Sequence, residues 1–344
     1  MSNPLRFRAV DTDVLLRAIA ISLVVWNHAI PSGSSSVGVP DLAGGMTLLM
    51  MMSGYSFARF ALVDAEPAEV RRGLISFGLR ILVPSIVAVI LFMAIKRRFS
   101  LTELLFISNW FTTYRIVIFP VWYVQVMVQM MLLLLAVFAI PPVARWFTGD
   151  PLQGSVTIFL TALVMRIILP LYIDTRPLMH HLPHLYLWNF ALGWVVYFLQ
   201  ARHKVPGKAL ASLAIIAAGA LVWTPASYQF VVLSLGGLAL VWVRRASLPG
   251  LLVRAASILS QATFTIFLLH RFIFATYLAV LARFLPVGMF MWAVGLMASA
   301  GAWILASATL RAYKLAASAG PLKDPGRDAT AQGSGGEMKR PVSI

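Results

Sequence analysis

Asp13-Val14-Leu15-Leu16-Arg17-Ala18-Ile19-Ala20-Ile21-Ser22-Leu23-Val24-Val25-Trp26-Asn27-His28-Ala29 reads as one apolar helix carrying two ionisable side chains, Arg17 and His28. The two are eleven positions apart. At about 100° and 1.5 Å per residue they fall within roughly 20° of one helix face, about 16 Å apart along the axis. Ionisable groups inside hydrocarbon are costly, so each marks a function and calls for a partner. The rest of the chain must supply those partners.

The setting is a membrane. Of 344 residues, 60% are hydrophobic and 12% charged, against about 25% charged in a soluble domain. Several runs reach the roughly 20 apolar residues that cross about 30 Å of hydrocarbon, and the short alternating segments of a β-barrel are absent. The expected fold class is therefore all-α, a polytopic membrane helical bundle in the lipid bilayer. A formal charge of +16 is explained by basic loops on one membrane side, and no nucleic-acid partner is expected. Cysteine is absent, which removes disulfides, thiolate metal sites and a cysteinyl acyl-enzyme. The run ending near Ala29 is expected to be a retained span rather than a cleaved leader, since span follows span.

About ten spans are expected, near 14–31, 42–63, 73–95, 116–140, 153–173, 184–200, 208–224, 227–243, 257–282 and 287–313. With both termini cytoplasmic, that side collects seventeen Lys and Arg against six opposite, Lys96-Arg97-Arg98 being the dissenting cluster. Residues 99–115, with Asn109, Trp110, Tyr114 and Arg115, suit an interfacial helix. The composition divides the chain into a membrane domain, 1–314, and a disordered cytoplasmic tail, 315–344.

With the loop charges set aside, Arg17, Arg59, Arg80, Arg166 and Arg271 remain in or at the edges of spans, joined by His28 and His270. No acid lies deep in a span: Asp13, Asp41, Asp64 and Asp174 are all near ends. Buried cations without buried acids point to an external anion, and guanidinium forks suit phosphate. Plainer readings stand beside this. Arg17 can pair with Asp13 at i,i+4, Arg59 and Arg80 can anchor at the interface, and His28 and the His270-Arg271 pair can be packed structural groups. His180, His181 and His184 superficially resemble metal ligands, but Pro183 breaks their helix, so no metal is expected and they suit a polar outer mouth. Ser53-Gly54-Tyr55 combines close helix approach with hydroxyls. Gln125 and Gln129 form an i,i+4 hydrogen-bonding stripe beside Trp122 and Tyr123. There is no phosphate loop, nucleophile elbow or HExxH.

The Arg17-x10-His28 spacing resembles the signature of the acyltransferase-3 family of integral membrane acyltransferases. Met52-Ser53-Gly54-Tyr55 resembles that family's Ser-Gly-aromatic step. Arg71-Arg72 with Arg80-Ile81-Leu82-Val83-Pro84 resembles its basic loop and Arg-x3-Pro span entry, and Phe264-Thr265-Ile266-Phe267-Leu268-Leu269-His270 its Tyr-Leu-x-His-like element. The marks run from about residue 13 to 275. One departure is Gln125, which stands after Trp122-Tyr123-Val124 where many relatives carry an acid.

The resemblance implies transfer of an acyl group, commonly acetyl and sometimes succinyl, from cytoplasmic acyl-CoA to a hydroxyl of an extracytoplasmic or lipid-linked carbohydrate. Acyl-CoA is then a co-substrate, with no permanently bound cofactor. Arg17, helped by Arg80, Arg71 or Arg72, would engage the donor's phosphates, and His28 would be the general base. Asn27, Tyr55 and Trp122 are candidate oxyanion donors, and Ser53, Gln125, His270 and Arg271 candidate substrate contacts. A transporter or flippase of an anionic lipid or glycan, or an acyltransferase of small metabolites, would use a cation-lined bundle as well.

Overall fold

The computed structural model describes residues 7–29, 44–111, 122–172, 181–202, 204–280 and 288–318. Two compact units divide it, Met1–Ala300 and Gly301–Ile344.

In the first unit, strand β1 (Phe7–Asp11) leads into α1 (Thr12–Ala29), and α2 (Gly45–Phe57) continues through a π-helical turn at Ala58–Leu62. α3 (Pro67–Lys96) opens with Pro67 at its first position and a Glu66–Glu69 capping box, and stops where Arg97 turns left-handed at φ 50°. The short helices α4 (Leu101–Leu104) and α5 (Ser108–Phe111) follow. The single interfacial helix expected here is divided, because Phe106 takes φ 56° and halts the first turn. Residues 112–115 of that expectation lie outside the described residues. α6 (Trp122–Phe138) meets α7 (Pro141–Gly149) at 95°, with two prolines at the joint that cannot continue the first helix. α8 (Pro151–Tyr172), α9 (Leu187–Arg202), α10 (Lys204–Val222) and α11 (Tyr228–Trp242) come next. Strand β2 (Arg245–Pro249), α12 (Gly250–Val280) and α13 (Met289–Ser318) complete the order. α13 runs into the second unit, whose residues from 319 onward, most of the expected tail, lie outside the described residues.

The protein is thus all-α apart from one ribbon, and each of the ten expected stretches contains a helix. Among the described residues, five of these, at 67–96, 151–172, 205–222, 250–277 and 289–315, are long and apolar enough to cross a membrane, and a sixth is counted if the bent α6–α7 pair is one broken span rather than a re-entrant loop. α9 and α11 are apolar but shorter. Along α3, Leu79, Val83, Val87, Ile90 and Leu91 are exposed, the outward apolar belt that lipid contact favours.

α9 is the axis of the core, with Trp188, Phe190 and Trp194 fully buried. Its backbone touches that of α2: a Cβ on Gly54 would stand 1.8 Å from the Phe190 carbonyl oxygen, and one on Gly193 2.2 Å from that of Met51. Only glycine permits this approach, and on the same helix Ser56 meets α1 and Ser53 meets α6. β1 and β2 pair antiparallel from Phe7↔Pro249 to Asp11↔Arg245. The ribbon ties the start of α1 to the α11–α12 connection, a contact that helical periodicity gave no sign of.

Candidate functional site

α1 presents its two ionisable groups to different neighbours. Half-buried Arg17 donates from Nη2 to Ser56 Oγ on α2, and Ser56 in turn donates to the Met52 carbonyl at 2.9 Å. Asp13, the i,i+4 candidate partner of Arg17, instead makes its ion pair with Arg59 at 3.6 Å, while remaining within electrostatic reach of Arg17. Beyond this pair opens a polar cleft of about 380 Å³, lined by Asp13, Tyr55, Arg59, Lys208, Arg244 and Arg245 among others. Tyr55 donates its hydroxyl to Gln200 Oε1 at 3.2 Å in its wall. Two of its cations are matched, Arg59 by Asp13 and Arg245 by Asp11 at 2.9 Å. Lys208 lies over the Trp242 ring, 5.5 Å from its centroid. The loop charges read as topology signals therefore also form a cation-rimmed opening beside the Asp13–Arg59 pair that acts on Arg17.

At the other end, His28 Nδ1 lies 3.0 Å from His270 Nε2 on α12, the rings stacked at 5.1 Å. His270 Nδ1 lies 2.9 Å from the Ile266 carbonyl oxygen, one turn back. His270 is 1% exposed, whereas His28 is half-buried. Arg271 lies within electrostatic reach of both imidazoles.

Between the ends runs a line of side chains. Ser53, one helical turn from Ser56 on α2, shares a 3.2 Å hydrogen bond with the Tyr123 hydroxyl on α6. Tyr123 is 7% exposed, lies within reach of the Arg17 charge, and packs on Phe267 at 5.0 Å. Phe267 packs on His270 at 5.9 Å. Arg17–Ser56 and Ser53–Tyr123–Phe267–His270–His28 thus form two sets of contacts alongside α1, one turn of α2 apart and linked by the reach of the Arg17 charge to Tyr123. Ser56 and Tyr123 were not among the candidates. Their only sequence signal is position, one turn after Ser53 and next to Trp122.

The other candidates fall elsewhere. Trp122 stacks on His181 at 4.0 Å and 9° and lies 5.2 Å from Tyr186, whose hydroxyl is 3.2 Å from His181 Nδ1. Arg166 on α8 is within electrostatic reach of Tyr186 and His184. His180 lies outside the described residues. Gln125 is buried, donating to Ser108 Oγ at 2.6 Å and accepting from the Asn109 backbone N–H at 3.2 Å. Gln129 donates to the Phe106 carbonyl at 2.6 Å and to Asn109 Oδ1 at 2.7 Å. The glutamine stripe clamps α5 and the Phe106 link before it onto α6, satisfying backbone groups that would otherwise be buried unpaired. Asn27 is exposed. Arg72 and Arg80 are exposed on α3, in a separate groove with Ile75, Ser76 and Leu79, and Arg71 is half-buried nearby in sequence.

Chemically, a base candidate at one end of a path and guanidinium at the other suit a long substrate with an anionic head and a reactive tail. The acyltransferase-3 family model, described as an acyltransferase domain, matches residues 11–308. The chain belongs to the acyltransferase-3 family. It is a membrane acyltransferase in general terms, and α1, α2, α6 and α12 of the path all lie within the matched region. No curated protein and no solved structure matches this acyltransferase-3 chain.

Proposed function

We propose that this acyltransferase moves an acyl group from cytoplasmic acyl-CoA to a hydroxyl of an extracytoplasmic or lipid-linked carbohydrate. Acetyl is the favoured group and succinyl the other. The chain crosses the bacterial cytoplasmic membrane about ten times with both termini inside, so that the cation-rimmed cleft faces the donor. The donor's phosphates meet Arg17 with Lys208 and Arg244, and Tyr55 contacts its head at the mouth. Its thioester arm follows Ser53 and Tyr123 toward His28. There, His28 takes the acceptor hydroxyl's proton as the oxygen attacks the thioester carbonyl carbon. The carbon–sulfur bond then breaks and the coenzyme A thiolate recovers that proton from the imidazole.

The observation that carries this reading is the line of side chains from Arg17 and Ser56 through Ser53, Tyr123, Phe267 and His270 to His28, whose ends lie about 16 Å apart along one helix. An acyl-CoA has the same order of parts, phosphates, long arm and thioester. The test is turnover of acetyl-CoA and succinyl-CoA by purified protein in lipid nanodiscs, with acceptor glycans analysed by mass spectrometry from cells with and without the protein. Coenzyme A release coupled to an acyl mass on the glycan is expected. Movement of a lipid or glycan with no covalent change would overturn the reading in favour of transport.

A further inference from the structure

The hydrogen bond between the two imidazoles has a direction, and the backbone dictates it. A carbonyl oxygen can only accept, so His270 Nδ1, 2.9 Å from the Ile266 carbonyl oxygen, carries a proton. In a neutral imidazole the other nitrogen is then a bare lone pair. That nitrogen, Nε2, lies 3.0 Å from His28 Nδ1. His28 Nδ1 must therefore supply the N–H of the pair, which leaves His28 Nε2 as the lone pair.

The two other proton arrangements cost more. A neutral His270 protonated on Nε2 would turn its Nδ1 lone pair against the lone pairs of the Ile266 carbonyl, losing a hydrogen bond in a site 1% exposed. A doubly protonated His270 would bury a positive charge close to Arg271. Among the described residues the groups acting on it are Arg271, which disfavours a second positive charge, and the Ile266 and Phe267 backbone. His28, by contrast, is half-buried, and besides His270 Nε2 the backbone of Val24, one turn back, acts on its ring.

We infer that His270 is a positioning residue that holds His28 in the tautomer with Nδ1–H bonded inward and Nε2 bare for the acceptor's proton. The inference rests on reading His28 as the general base. It places a neutral imidazole, anchored on a main-chain carbonyl, where other hydrolytic and transfer sites use a carboxylate to orient a histidine. During turnover the acceptor proton arrives at His28 Nε2 and leaves from there to the thiolate. The Nδ1–H stays on His28 throughout, its positive charge shared with the His270 lone pair. His270 neither gains nor loses a proton.

Histidine-selective 15N NMR of the protein in nanodiscs reads the tautomer directly. His28 is expected to show a protonated Nδ1 and an unprotonated Nε2. The His270→Phe variant keeps a ring but removes the acceptor, and is expected to lower kcat about 10- to 100-fold while leaving the donor KM within about twofold. The His270→Gln variant restores an acceptor oxygen and is expected to recover a large part of that loss. A wild-type His28 protonated on Nε2, or His270→Phe turning over at the wild-type rate, would overturn the inference. Where His270→Phe fails to accumulate in membranes, the wild-type spectrum alone decides. Full activity in His28→Ala would instead overturn the base reading, whatever the tautomer. An inactive His28→Ala with Nε2–H on wild-type His28 would remove only the positioning role.

Discussion

At the Arg17 end of α1, charge meets charge: Asp13 and Arg59 act on Arg17, and both line a cleft that also carries Lys208, Arg244 and Arg245. At the His28 end, the groups that act on the pair among the described residues are the two imidazoles, Arg271 and backbone carbonyls. The two ends therefore keep polar groups in a hydrophobic bundle by different means. The Arg17 end stays open to a solvated opening, so a permanent cation is tolerable and an anion can enter. The His28 end is a hydrogen-bond chain terminating on the Ile266 carbonyl, which satisfies donors without adding charge. The first arrangement suits binding of a charged head, and the second suits a proton moving on and off one nitrogen.

If that division holds, mutation should separate the two ends kinetically. Removing the base is the largest effect: His28→Ala is expected to lower kcat by about 10²- to 10⁴-fold with the donor KM nearly unchanged. Steady-state acetyl-CoA turnover by purified protein measures both. A KM rise instead of a kcat fall would erase the distinction between the ends. Next comes Arg17→Lys, which keeps the charge and a donor for Ser56 but loses the planar fork. The donor KM is expected to rise about tenfold with kcat within about twofold, because a point charge does not reproduce bidentate phosphate contacts. A kcat loss with constant KM would move Arg17 into the chemistry.

The middle of the path is tested by Tyr123→Phe, which keeps the ring on Phe267 and removes only the hydroxyl shared with Ser53. A threefold to fivefold fall in kcat/KM is expected, about the size of one modest net hydrogen bond. Unchanged kinetics would mean that the donor's arm runs along a different line between the ends.

Much of the first helix was legible in the sequence because a single helix fixes its own geometry: spacing alone put Arg17 and His28 on one face. The His28–His270 contact was not legible, since 242 positions separate the residues and only helix packing decides which spans touch. Gln125 and Gln129 read correctly as a hydrogen-bonding stripe, yet their partners, Phe106 and two residues of α5, depend on where a short segment folds back. The β1–β2 ribbon escaped because Phe7–Asp11 and Arg245–Pro249 are too short and too polar at their ends to show a period. The same holds for the cleft: Arg244 and Arg245 read as topology charges, and only the ribbon carries them over the start of α1.

The smallest expected effect is the sharpest test of which cations belong to the charged end. Arg80 was paired with Arg17 as a phosphate ligand by its sequence context, yet it is exposed on α3 in a groove shared with Arg72, Ile75, Ser76 and Leu79. None of those residues lines the cleft beside the Asp13–Arg59 pair. An exposed cation on an outward helix face exerts a screened influence beyond about 8 Å, so Arg80→Gln is expected to change the donor KM by less than about twofold. Lys208→Gln, a single-charge loss within the cleft, should raise it by more. The reverse order, with Arg80→Gln the stronger, would transfer the donor's phosphates to α3. The charged end of α1 would then hold only the arm, and the path to His28 would begin at a different opening.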